Sequence, residues 1–220
     1  MTRATSQLTE RLTSPDTGFD PEVWVPLLRL LAQGQPVGLG ALVAASGKTM
    51  PEVIQALARV PDTEYDDDGQ ITGQGLTLRR TPHHIEIDGT LLYTWCALDT
   101  LIFPTVLGSP ARIESVCHGT GVPVRVTIDA DGVSNTEPRT AVVSLINPED
   151  LSSVRSAFCN QVHFFGSAEA AEPWLKAHPG GSVIPVLEAY QLGATMVQTL
   201  LHGSPLEEPA SFTKSAASCC

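Results

Sequence analysis

His84-Ile-Glu-Ile-Asp-Gly-Thr-Leu-Leu-Tyr-Thr-Trp-Cys-Ala-Leu-Asp-Thr-Leu-Ile-Phe-Pro104 changes its periodicity partway along. From His84 to Asp88 polar and apolar residues alternate, as in a half-buried strand, and Asp88-Gly89 is a turn signal. Trp95 to Phe103 reads as a helix, with Pro104 as its stop. A strand that gives way to a helix in so short a span points to an α+β chain. The helical part also carries chemistry. Residues i and i+3 share a helix face, which would set Cys96 beside Asp99 as a thiol and a proton acceptor. The same spacing fits a buried core cysteine with an aspartate at the surface or in a cap.

Upstream, Asp20-Pro21-Glu22 starts a helix in which Val23, Trp24, Leu27, Leu28, Leu30 and Leu31 recur at helical spacing, ended by Gly34 and Pro36. Leu39 to Ala45 forms a second helix. Thr49-Met-Pro-Glu52 is a capping box opening a third, with Val53, Ile54 and Leu57 on one face. Asp68-Gly69, between Tyr65 and Ile71, marks a hairpin turn. Three helices and a hairpin read as a winged-helix-like module over residues 21–80, preceded by a polar N-terminal extension, residues 1–20.

Downstream, Arg112 to Cys117, Val122 to Ile128 and Ala141 to Ile146 read as strands, with a turn at Asp129-Ala-Asp-Gly132. Glu149 to Phe158 reads as a helix running into Cys159. Ala168 to Ala177 is a further helix, and a longer one spans Val186 to Leu201. The expected architecture is an N-terminal winged-helix-like three-helix module followed by a mixed or antiparallel sheet core with flanking helices, the core occupying residues 81–203. Residues 204–220, rich in Ser, Pro, Glu and Ala, read as a flexible tail ending in Cys219-Cys220.

The composition is globular: 42% hydrophobic and 17% charged residues. A net charge of −11 disfavours phosphate backbones and anionic membranes as partners. The third helix has no basic stripe with which to read a DNA groove. The polar N-terminus lacks an apolar h-region and no run approaches a membrane span, so a cytoplasmic protein is expected. Five cysteines, an odd number, are then expected to be reduced thiols: core residues, nucleophiles or soft-metal ligands. Cys159, in Ala157-Phe-Cys-Asn-Gln-Val-His163, could join Cys96 in a two-thiolate site if the fold brings them together. A competing set, Cys117-His118 with Cys159 and His163, would suit zinc, without the paired spacing of structural zinc modules. His83 and His84 read as surface or edge residues.

Two segments carry a family resemblance. Asp88 to Pro104 resembles the active-site segment of the organomercurial (alkylmercury) lyases, and Ala157-Phe-Cys-Asn-Gln-Val-His-Phe-Phe165 resembles their second cysteine segment. The likeness spans roughly residues 20–202. It implies an enzyme that cleaves carbon–mercury bonds by protonolysis, with Cys96, Asp99 and Cys159 as catalytic residues and mercury ligands and Cys117 as a structural cysteine. It implies no organic cofactor, since mercury is substrate and product, and external thiols for turnover. The implied partners are the organomercurial, cytosolic thiols and a mercuric reductase as acceptor of Hg²⁺. Cys219-Cys220 departs from the lyase pattern and is similar to the terminal cysteine pair of mercuric reductases. Two other classes suit the same residues, a metal-responsive DNA-binding regulator and a metal-storage protein.

Overall fold

The computed structural model describes residues 3–202. Its elements, in chain order, begin with helices α1 (Arg3–Leu12), α2 (Pro21–Leu31), α3 (Leu39–Ser46) and α4 (Met50–Ala58). Strands β1 (Glu64–Tyr65), β2 (Ile71–Gln74), β3 (Leu76–Thr77), β4 (His83–Ile87) and β5 (Thr90–Thr94) lead into α5 (Ala97–Leu107). Then follow β6 (Ala111–Val116), β7 (Pro123–Asp129), β8 (Gly132–Glu137), β9 (Val142–Leu145), α6 (Val154–Ala157), β10 (Phe164–Phe165), α7 (Glu172–Ala177), β11 (Ser182–Pro185) and α8 (Val186–His202). The expected α+β class holds, and the paired strands in both sheets run antiparallel.

An eight-stranded sheet runs in the order β1-β2-β3-β5-β4-β6-β7-β8, so the wing of the N-terminal module is continuous with the core sheet. Ile85, Ile87, Ile113, Val126 and Ile128 point from alternate positions into the core. A second sheet, β10-β9-β11, is tied to the segment after Cys159 through Ser144 of β9. α5 lies inside the molecule, with α8 packed along it and α1 packed on α8. Gly193 allows that approach: a Cβ there would come to 2.8 Å from Ile102 Cγ1. Trp24 of α2 meets Phe103 of α5 edge to face, with ring centroids 6.0 Å apart, which seats the N-terminal module on the core. No helix among the described residues is long and apolar enough to cross a membrane.

The capping signals are realised. The Asp20 carboxylate accepts the Glu22 N–H at 3.0 Å, and Thr49 and Glu52 form the expected capping box. Asp66 to Gly69 closes the β1–β2 hairpin, with Gly69 at φ +74°.

Several expectations are corrected. The polar segment 3–12 forms α1, whose Leu8 and Thr9 are buried. The predicted helix over Glu149–Phe158 shrinks to Val154–Ala157, because Asp150 captures the N–H and hydroxyl of Ser152 and holds the preceding residues in a local turn. Pro104 does not stop α5, which continues to Leu107. Burial of Phe103 and Val106 carries its last turn, and Gly108, at φ +69°, closes the end by donating to the Pro104 carbonyl. Nor does the helix begin at Trp95. Trp95 N–H donates to Gly75 O, and Cys96 is extended at φ −144° and ψ 171°. His83 is buried, not at the surface, with Nδ1 3.0 Å from Ser115 Oγ. Cys219 and Cys220 lie outside the described residues.

Candidate active site

Cys96 is the N-cap of α5, a position that usually takes Ser, Thr, Asp or Asn. Asp99, at the third helical position, reaches back so that its Oδ2 accepts the Cys96 N–H at 3.0 Å. The two therefore meet as a capping box and not as neighbours along a helix face. The cap sets the Cys96–Asp99 geometry through the backbone, which makes it far stiffer than a contact between two free side chains.

Cys159 arrives from a different part of the chain. It begins a single 3-10 turn, Cys159–Gln161, after α6. Val162 N–H closes that turn on the Cys159 carbonyl, and the Val162 carbonyl accepts the Ala97 N–H at 3.1 Å. This hydrogen bond links the residue after Cys96 to the end of the Cys159 turn. Ser144 Oγ in β9 donates to Gln161 O and accepts from His163 N–H, fixing the turn to the second sheet.

The result is a compact donor set. One ligand atom each from Cys96, Asp99 and Cys159 lies within 4.8 Å of the others, the only such grouping of potential metal ligands among the described residues. All three described thiols are free. Cys96 is fully buried and Cys159 nearly so, while Asp99 keeps part of its surface open to a chamber. That chamber is apolar, lined by Asp99 and Cys159 together with Leu12, Trp24, Leu98, Ile102, Phe103 and Met196.

Electrostatics follow from burial. Desolvation pushes the Asp99 carboxyl up to about 7, against hydrogen bonds with Cys96 and the positive charge of Arg155. Burial drives the Cys96 thiol well above its usual range, with the hydrogen bond to Cys159 and the Asp99 charge adding to it. At Cys159 the hydrogen bond from Cys96 lowers the pKa. Desolvation and the carboxylates of Asp99 and Asp62 outweigh it, so the thiol remains raised. Cys96 thus sits between a carboxyl that titrates near neutrality and a second sulfur, with its one thiol proton in reach of either. Such a group can take up a soft cation on two sulfurs while a proton is held on a carboxyl.

The competing zinc set is not assembled. His118 and His163 stack face to face at 3.9 Å, and Cys117 Sγ accepts the Gly166 N–H at 3.2 Å. Burial raises the Cys117 thiol, but the Thr120 hydroxyl and the N–H groups of Gly166, Gly119 and Thr120 outweigh it and leave its pKa lowered. The sequence reading missed Arg155, whose guanidinium carbon lies 4.8 Å from the Trp95 ring centroid, and the acidic residues Asp62 and Glu64 that hold it. The visible signal was slight: a basic residue four positions before Cys159.

Fold and site define an α+β protein with an N-terminal helix-turn-helix-type module and a buried group of two thiols and a carboxylate able to hold a soft metal ion. The chain belongs to the alkylmercury lyase family. Residues 76–198 match the family model for alkylmercury lyase, and residues 4–75 match the helix-turn-helix domain of alkylmercury lyase. An alkylmercury lyase of Streptomyces lividans is 53% identical over 202 residues, covering 90% of this chain and 94% of that protein. One of Pseudomonas putida is 44% identical over 195 residues, covering 87% and 92%. A crystal structure of the mercury-bound form of MerB2 superposes with a TM-score of 0.68 at 25% identity, covering 90% of this chain and 100% of that one.

Proposed function

We infer that this protein cleaves the carbon–mercury bond of alkyl- and arylmercury compounds by protonolysis, with Cys96 and Cys159 as mercury ligands and Asp99 as the proton carrier. Family membership supports the reaction. The observation that carries the assignment of residues is the grouping of two sulfurs and one carboxylate within 4.8 Å on an apolar chamber.

The chemistry runs R–Hg⁺ + H⁺ → R–H + Hg²⁺. Cys96 binds the mercury of the substrate and gives its proton to Asp99, whose pKa near 7 lets it accept and return a proton at neutral pH. The second sulfur, Cys159, then binds the same mercury, its own proton leaving to water or to the thiolate that the incoming organomercurial sheds. Added thiolate donation weakens the mercury–carbon bond and makes the carbon more basic. Asp99 delivers the proton to that carbon. The electron pair of the bond goes to the hydrocarbon, and Hg²⁺ stays on the two sulfurs. The apolar chamber takes the organic group and excludes water from the proton transfer.

The chemistry needs no organic cofactor and no nucleic acid. Release of Hg²⁺ from two thiolates proceeds by exchange onto other thiols. Small thiols of a reducing cytoplasm, with a mercuric reductase beyond them, are the fitting acceptors.

The test is hydrocarbon release from methylmercury and phenylmercury in excess small thiol, followed by gas chromatography. Catalytic methane or benzene is expected from the parent and none from Cys96→Ser or Cys159→Ser. Mercury binding without hydrocarbon would refute the assignment in favour of a storage or sensing protein.

A further inference from the structure

The segment that delivers Cys159 is held by the wing of the N-terminal module. Asp62, in the connection between α4 and β1, takes the Ser153 hydroxyl at 2.9 Å and the Arg155 N–H at 3.2 Å on its carboxylate. Ser153 is the N-cap of α6, and its Oγ accepts the Ser156 N–H at 3.1 Å. Glu64, a buried carboxylate in β1, is ion-paired with the Arg155 guanidinium and accepts the Thr77 hydroxyl. Gly73 on the neighbouring strand leaves room for it: a Cβ there would collide with Glu64 Oε2. Arg155 in turn covers the ring of Trp95.

The arrangement spans both cysteine segments. Trp95 precedes Cys96, and Arg155 precedes Cys159 by a single helical turn. α6 has only four residues, too few to hold a conformation by its own hydrogen bonds. The Asp62 carboxylate accordingly supplies what the helix lacks, since charge-assisted hydrogen bonds are the strong ones.

We propose that Asp62 and Glu64 are positioning residues for carbon–mercury cleavage: they hold the α6 segment so that Cys159 meets a mercury atom already on Cys96. The winged-helix module then works as a clamp on the second thiol. This rests on the two-thiolate reading above.

The experiment uses the full chain with Asp62→Asn, Glu64→Gln, Asp62→Glu and Ser153→Ala, each also built on Cys159→Ser. Three quantities are read: kcat and KM for phenylmercury, the affinity for Hg²⁺ by competition with a small dithiol, and the thermal midpoint. A misplacement of about 1 Å at reacting atoms costs up to about a hundredfold in rate. Asp62→Asn and Glu64→Gln are therefore expected to lower kcat by roughly ten- to a hundredfold with KM changed by less than about threefold. Hg²⁺ affinity falls by about tenfold, Ser153→Ala gives a smaller loss, and Asp62→Glu recovers part of the rate. On the Cys159→Ser background the wing substitutions leave Hg²⁺ affinity unchanged, because the sulfur they position is gone.

An unchanged kcat in folded Asp62→Asn and Glu64→Gln overturns the proposal, as does an equal loss of Hg²⁺ affinity on both backgrounds. If Cys159→Ser by itself retains parental turnover and Hg²⁺ affinity, the two-thiolate reading fails, a result distinct from failure of the clamp.

Discussion

Replacing Asp99 by Asn should make the protein more stable at neutral pH while removing its activity. The folded carboxyl titrates near 7 against a usual 3.8, because burial disfavours its charge. As pH rises through 3.8 the unfolded chain loses this proton first, so unfolding is increasingly favoured up to pH 7 and the cost is complete above it. At 1.36 kcal/mol per unit, a shift of about three units costs about 4 kcal/mol at pH 8, and about 1.5 kcal/mol at pH 5. Asparagine keeps an oxygen to accept the Cys96 N–H, and the folded pKa near 7 already contains the benefit of the charged cap. The expected gain is therefore about 4 kcal/mol at pH 8 and about 1.5 kcal/mol at pH 5. Urea unfolding of parent and variant at both pH values reads it directly. In a chain of this size the gain at pH 8 raises the melting midpoint by roughly 8–16 °C. Equal or lower stability of Asp99→Asn at pH 8 would refute the reasoning. The carboxylate would then be an ordinary ionised cap, unable to hold a proton near neutrality for delivery to carbon.

Other predictions test separate parts of the molecule. His83 is buried and neutral, lowered by desolvation from 6.5 to about 3, so stability is lost as pH falls from 6.5 toward 3. His83→Gln should remove about 2 kcal/mol of the loss between pH 7 and pH 5, read by urea unfolding. Gly193→Val should destabilise by about 1–3 kcal/mol, since its Cβ would collide with Ile102 where α8 crosses α5, measured by thermal melting. Met196→Trp should raise KM for phenylmercury more than for methylmercury by filling the chamber, and equal effects on the two substrates would place the organic group elsewhere.

Much of the local structure was legible along the chain because it depends on neighbours in sequence. Asp20-Pro21 started a helix, Thr49 with Glu52 formed a capping box, and Asp68-Gly69 turned a hairpin, each through contacts a few residues long. Cys96 and Asp99 were found as a pair for the same reason, although their relation proved to be a cap and a third helical residue. Where local rules misled, burial had overridden them: Pro104 lies inside a helix held by core packing, and His83 lies under the sheet and not on its edge. α1 was missed because few of its residues are apolar, and its Leu8 and Thr9 become buried only when it packs on the rest of the protein.

By itself the sequence determined the helix caps, the turns, the pairing of Cys96 with Asp99 and, through two short segments, the family. The meeting of Cys159 with Cys96 was decided only in three dimensions. A backbone hydrogen bond between Ala97 and Val162 joins their segments, the second sheet anchors one of them, and Asp62 and Glu64 reach across from the wing. The raised pKa of Asp99 was equally out of reach, because desolvation depends on everything packed around a group and spacing along the chain does not encode it.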